Sequence, residues 1–226
     1  MKTGGIMRAL VIGASGGIGA ALVATLQAQG AQVTGLSRSA DGLDVTDEAS
    51  IQQHLSTLKG PFDTIIVATG ALVINGARPE KSLKSIDPTA LAAQFALNAM
   101  GPMLILKHAL RLLPRDAPSR FAVLSARVGS IGDNNLGGWY AYRAAKTALN
   151  QLIHTAAIEV ARTHQQTVLA LLHPGTVDTP FTAAYQPAYE KLTPAQSAAA
   201  LLGVLTTLIP AQSGGFYDYN GDQVPW

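Results

Sequence analysis

Tyr142 and Lys146 stand four residues apart in Tyr142-Arg143-Ala144-Ala145-Lys146. In a helix that spacing stacks a phenol and an ammonium on one face, one turn apart. A cation beside a phenol favours the ionised oxygen, so such a pair can move a proton below the usual tyrosine pKa of about 10. Tyr140 competes for the same task, but the residue four positions after it is Ala144, so the spacing selects Tyr142.

Far upstream lies Gly13-Ala14-Ser15-Gly16-Gly17-Ile18-Gly19. Arg8 to Ile12 before it reads as a buried strand, and Gly17 to Gln29 after it as a helix with Ile18, Leu22 and Leu26 on one stripe. Glycines at a strand-to-helix turn let backbone N–H groups approach a phosphate, which the positive helix end also attracts. The spacing is G-x-x-x-G-x-G rather than the commoner G-x-G-x-x-G. A tight turn that binds nothing is the alternative.

After the next strand, Gln32 to Leu36, comes Ser37-Arg38-Ser39. An acidic residue here would accept from an adenosine ribose, whereas an arginine can pair with a 2′-phosphate. The position therefore favours NADP(H) over NAD(H), with a simple exposed loop arginine as the alternative. Asp44-Val45 follows: Asp44 could accept from an adenine amine with Val45 on the ring, or the two could form an Asx turn into the next helix.

The remaining pattern supplies elements to hold these residues. Thr46 to Leu58 reads as a helix capped by Thr46 or Asp47, and Thr64 to Ala68 as a strand. Thr89 to Leu113 is helical, with a local disturbance expected at Gly101-Pro102. Arg120 to Ser125 is a strand, Tyr140 to Thr163 a long helix, and Thr167 to Leu172 a strand ending at Pro174-Gly175. Ala195 to Leu208 is a helix and Gly215 to Tyr217 a short last strand. This alternation without a linker predicts an α/β chain: one Rossmann-type domain over residues 1–226, a doubly wound parallel sheet with helices on both faces. Ligands of such sheets bind beyond the carboxyl ends of the strands, where Gly13, Ser37, Ala68, Ser125 and Pro174 lie.

Composition narrows the partners. The chain has 226 residues, 48% hydrophobic and 13% charged, enough for one buried core. A formal charge of +2 gives no reason to expect nucleic acid or an anionic membrane. With 0 cysteines, disulfides, thiolate metal sites and a cysteine nucleophile are excluded. Met1 to Met7 does not read as a secretory signal, and no run approaches 18 uninterrupted apolar residues, so no membrane span and a cytoplasmic location are expected. His54, His108, His154 and His164 show no ligand spacing with carboxylates, so no metal is expected. Lys107, His108, Arg111 and Arg115 read as a solvated helix face.

Gly13, Gly17 and Gly19, then Asn98, then Tyr142 and Lys146, in this order over nearly the whole chain, resemble the short-chain dehydrogenases/reductases. Ser125 to Ile131, Gly137-Gly138-Trp139-Tyr140 and the ending Phe216 to Trp226 are similar to its C-factor-like and carbonyl-reductase-like branch. The resemblance implies a reductase of a small ketone, aldehyde or quinone, or the reverse oxidation of an alcohol. Tyr142 would give the proton, Lys146 would hold the nicotinamide ribose and lower the Tyr142 pKa, and Asn98 would anchor a water leading from Lys146. Ser15, Gly17, Ile18, Gly19, Ala68, Gly70, Pro174, Val177 and Thr179 would join Gly13, Arg38, Asp44 and Val45 around the cofactor. Residues 180–193, with Phe181, Tyr185 and Tyr189, would form a short lid suited to an apolar or aromatic ligand.

Two departures stand out. The family's Ser-Ser-x-x-Gly becomes Ser125-Ala126-Arg127-Val128-Gly129, so Ala126 occupies the place of the carbonyl-orienting serine. Ser125, or else Ser130, is expected to stand in. Val67-Ala68-Thr69-Gly70 keeps only the glycine of Asn-Asn-Ala-Gly. Relatives form homodimers or homotetramers, which the helices from Thr89 and Tyr140 could support. A regulatory nucleotide-binding protein without turnover is the competing reading, and Ala126 speaks for it.

Overall fold

The computed structural model describes residues 5–183, 185 and 190–226. Met1 to Gly4 of the N-terminal segment and Tyr189 of the expected lid lie outside the described residues.

Six strands form one parallel sheet: β1 (Arg8–Ile12), β2 (Gln32–Leu36), β3 (Thr64–Val67), β4 (Ser119–Leu124), β5 (Thr167–His173) and β6 (Gly215–Asp218). Their order is β2-β1-β3-β4-β5-β6. The chain steps outward from β1 to β2, then crosses back to β3, so the switch point falls between β1 and β3. The helices are α1 (Gly17–Ala28), α2 (Arg38–Asp41), α3 (Glu48–Ser56), α4 (Pro88–Phe95), α5 (Gly101–Ala109), α6 (Tyr140–Val160) and α7 (Pro194–Thr207).

Both faces of the central strands are covered, which is why β1, β3 and β5 read as largely apolar runs, whereas the edge strand β2, Gln-Val-Thr-Gly-Leu, does not. Alternate residues of β1 serve opposite faces. Leu10 and Ile12 join Ile51, Ile105, Leu149 and Ile153 in the core under α3, α5 and α6. Ala9 and Val11 join Leu22, Leu26, Leu201 and Leu205 under α1 and α7. The expected domain thus forms, with helix ends displaced by one to three residues and with α2 as an unforeseen short helix.

The disturbance expected at Gly101-Pro102 takes the form of a π turn over Ala96–Met100 between α4 and α5. Pro102 has no N–H to give the Asn98 carbonyl four residues earlier, and the helix widens there. Gly101 N–H reaches back to the Ala96 carbonyl instead. The continuous helix Pro88–Leu112, 25 residues, is long and apolar enough to cross a membrane by length and composition. Here its Ile105, Leu106, Ala109 and Leu112 pack into the sheet core. The basic face is not simply solvated: Lys107 and His108 both meet Glu48 of α3, and Arg111 donates to the Leu55 carbonyl.

Candidate functional site

A cavity of about 760 Å³ opens beyond the carboxyl ends of β1, β3, β4 and β5. Its walls run from Ser15–Gly19 at the start of α1, through Ala68–Gly70 and Ser125–Val128, to Tyr142 and Lys146 on α6 and His173–Val177 after β5. Ser15, Gly17, Ile18, Gly19, Ala68, Gly70, Pro174, Val177 and Thr179 therefore share one space with Tyr142 and Lys146, while Arg38 lies outside it.

The glycine turn is shaped for close approach. Gly13 adopts φ +86°, and a Cβ there would stand 2.9 Å from the Ala68 carbonyl atoms. A Cβ at Gly19 would run into the Gly13 carbonyl oxygen. Neither position admits a side chain, so α1 begins with its N–H groups bare toward the cavity. Such an end suits a pyrophosphate. Ser15 accepts from Ser39 at 2.9 Å, which ties this turn to the loop after β2. At Gly17 a Cβ would lie 2.5 Å from Thr179 Cγ2, so the segment after Pro174-Gly175 closes over the same turn. These residues fit a dinucleotide.

The outer residues are arranged differently from one another. Arg38 is exposed, and no carboxylate ion pair holds it among the described residues. Asp44 accepts from the Thr46 N–H and hydroxyl at 2.8 and 2.6 Å through the same oxygen, and these bonds hold its carboxyl below the usual range. That is the Asx turn weighed from the sequence. Val45 is buried in the core beside Gly101. Neither Asp44 nor Val45 lines the cavity.

At the inner end, Tyr142 is 5% and Lys146 2% exposed. Tyr140 does not line the cavity. Trp139 and Phe181 flank the Tyr142 ring at centroid distances of 6.3 and 6.1 Å. This burial pushes the phenol well above its usual pKa. Lys146 donates to the Leu124 carbonyl at 3.0 Å and lies 5.9 Å from the Tyr142 ring centre. Burial pulls its ammonium down to about 7. The expected lowering of the Tyr142 pKa by Lys146 is thus not present in the protein alone. Desolvation by burial is the cause of both shifts.

The comparisons with known proteins agree with this geometry. The family model described as enoyl-(acyl carrier protein) reductase matches residues 13–210. The chain belongs to the short-chain dehydrogenase/reductase family. It is an oxidoreductase of that family, related to its C-factor-like branch. It is 34% identical over 169 residues to the C-signal of Myxococcus xanthus, covering 74% of this chain and 94% of the relative. It is 29% identical over 188 residues to 1-hydroxy-2-glutathionyl-2-methyl-3-butene dehydrogenase of Rhodococcus sp. strain AD45, covering 82% and 79%. The NADPH-bound carbonyl reductase from chicken fatty liver superposes with a TM-score of 0.82 at 21% identity, over 98% of this chain and 99% of that one.

Within this short-chain dehydrogenase/reductase, Asn98 sits fully buried in the π turn. Its side chain grips the loop after β3, exchanging bonds with Ala71 at 3.1 and 3.0 Å and donating to Gln94 at 2.6 Å. A Cβ on Gly70 would stand 3.0 Å from Asn98 Oδ1 and 3.6 Å from Lys146 Nζ, so Gly70 separates the two. Val177 lines the cavity, but its carbonyl is taken by the Thr182 hydroxyl.

The serine expectation is not met by this geometry. Ser125 gives its proton to Asn150 Oδ1 at 2.6 Å, because the strand end turns its hydroxyl under α6. Ser130 accepts from the Asp133 N–H at 3.1 Å and does not line the cavity. Neither presents a free donor to a ligand.

Sequence reasoning missed Glu80. Trp139, with φ +53°, leaves α6 without a side-chain cap of its own. Glu80 supplies one from a distant loop: its carbonyl accepts from Trp139 N–H at 2.6 Å and its carboxylate from Ala141 N–H at 3.2 Å. No local pattern could reveal a cap 61 residues away.

Proposed function

We propose that this oxidoreductase uses NADP(H) to reduce a small carbonyl compound to the alcohol, with Tyr142 as the proton donor. The observation that carries the reading is the single cavity joining the bare start of α1 to the buried Tyr142–Lys146 pair. The bound nicotinamide would supply the hydride. Gly13, Ser15, Gly17, Ile18, Gly19, Ala68, Gly70, Pro174, Val177 and Thr179 would hold the dinucleotide, and Arg38 would meet the 2′-phosphate.

The phenol pushed up by burial keeps its proton at neutral pH, as a general acid must. Lys146, near half-protonated at neutrality, stabilises the oxygen of Tyr142 as the proton leaves. Asn98 fixes the loop that carries Gly70 beside the Lys146 ammonium. Trp139, Phe181 and Tyr185 favour an apolar or aromatic carbonyl beside the phenol. The NADPH-bound carbonyl reductase from chicken and the carbonyl reductase Sniffer of D. melanogaster share the fold and point the same way.

NADPH binding followed by fluorescence, then NADPH consumption with an aromatic aldehyde, an aryl ketone and a quinone, tests this. Turnover should fall by about 10²-fold or more in Tyr142→Phe while binding is kept. Binding with no Tyr142-dependent turnover would instead favour a regulatory protein like those named for signalling.

A further inference from the structure

On the reading of the site as a carbonyl reductase, we propose that the His173 imidazole supplies the hydrogen-bond donor to the substrate carbonyl oxygen that Ala126 cannot supply. The family places a serine hydroxyl there; here Ser125 gives its proton to Asn150, and Ser130 does not line the cavity.

The sheet register puts His173 beside the vacancy. Leu124 on β4 pairs with Leu172 on β5, and the Ser125 N–H donates to the Leu172 carbonyl at 2.8 Å. His173 is therefore the cross-strand neighbour of Ser125, one residue from Ala126. Side chains alternate along a strand, so His173 faces as Leu171 does, toward the core shared with Leu149 and Ile153 of α6. That is the side carrying Tyr142 and Lys146, and His173, Tyr142 and Lys146 line one cavity with Ala126.

The imidazole is also uncommitted. No hydrogen bond reaches either nitrogen from the described residues, and Nδ1 is sealed from solvent without a partner. A sealed N–H is the costlier state to leave unmade, so the proton belongs on Nε2, the nitrogen that still reaches open space. Thr69 carries the other sealed, unpartnered atom in the cavity wall, but its Oγ1 is its whole polar inventory and has no such access. Burial draws the His173 pKa down to about 4, with Asp218 opposing and Arg127 adding to the lowering, so the ring is neutral and donates from one nitrogen only. A neutral N–H aimed at a carbonyl oxygen polarises it without competing with Tyr142 for the proton.

The test uses the NADPH consumption assay with the same aldehyde, ketone and quinone. His173→Leu removes the donor and keeps apolar volume. It should lower kcat/KM by about 10-fold or more, with NADPH affinity by fluorescence unchanged. Adding Ala126→Ser to His173→Leu should restore most of the loss. A purely structural role for His173 gives no such rescue. Full activity in folded His173→Leu, or a loss that Ala126→Ser leaves untouched, overturns the assignment. If His173→Leu does not fold, His173→Gln, which keeps an N–H donor, should retain more turnover than His173→Ala; equal rates in these two overturn it as well. Tyr142-dependent turnover indifferent to His173 removes this inference alone. Absent or Tyr142-independent turnover removes the carbonyl-reductase reading and this inference together.

Discussion

The cofactor-free protein should become more stable as pH rises through the mildly alkaline range, and Lys146 should be the cause. Its ammonium is drawn from 10.5 to about 7 by burial. Below pH 7 it is charged in both folded and unfolded chains, and the full desolvation penalty is present. Between about 7 and 10.5 the unfolded chain holds a proton that the folded chain has released. Stability then rises by about 1.4 kcal/mol per pH unit, or roughly 2.7 kcal/mol from about pH 7.5 to 9.5. His173 and His164, both lowered, have finished titrating below this window. Tyr142, raised above 10, would lower stability only beyond it. Urea unfolding of the protein without dinucleotide, at several pH values, measures the slope. Lys146→Met should abolish it and be the more stable protein at pH 7.5. An equal slope in the variant, or a falling slope in the parent, would refute the idea that burial has destabilised this ammonium.

Gly19→Ala should lose NADPH binding by more than about tenfold in fluorescence titration, since a methyl there meets the Gly13 carbonyl and must deform the turn. Ser125→Ala should lower stability by about 1–3 kcal/mol in the same urea assay, because it leaves buried Asn150 Oδ1 without its donor. Its turnover should be largely kept. Arg38→Ala should raise the NADPH Kd about tenfold and leave the NADH Kd nearly unchanged, as expected when one charge-assisted contact to a phosphate is lost. Glu80→Ala should weaken the cap on α6 and lower thermal stability without changing NADPH affinity, a cap being worth roughly 1 kcal/mol.

Much of the fold was legible because its signals are local. Most strands are short apolar runs, and each turn beyond a strand's carboxyl end carries a glycine, serine or proline that the sequence displays. The π turn was legible only as a disturbance, since a proline announces a lost hydrogen bond but not how the helix absorbs it. Asp44 and Val45 show the opposite case. Their sequence suited an adenine or an Asx turn equally, and only the depth of Val45 in the core and the two Thr46 bonds separate the options.

The chemistry was legible in residue type and not in direction. Tyr142 and Lys146 are one helical turn apart as the spacing required, yet the Nζ points to the Leu124 carbonyl and burial governs both proton affinities. Whether a hydroxyl serves a ligand or the protein depends on a partner remote in sequence, such as Asn150 for Ser125, 25 residues on. His173 lay hidden for the same reason. In sequence it is one residue before a Pro-Gly turn; in the sheet it is the neighbour of Ser125, because β4 and β5 run side by side and bring residues 125 and 173 level. The missing serine at position 126, two residues past β4, and the imidazole at the end of β5 whose Nδ1 has no partner are thus the two observations that the proposed role of His173 joins.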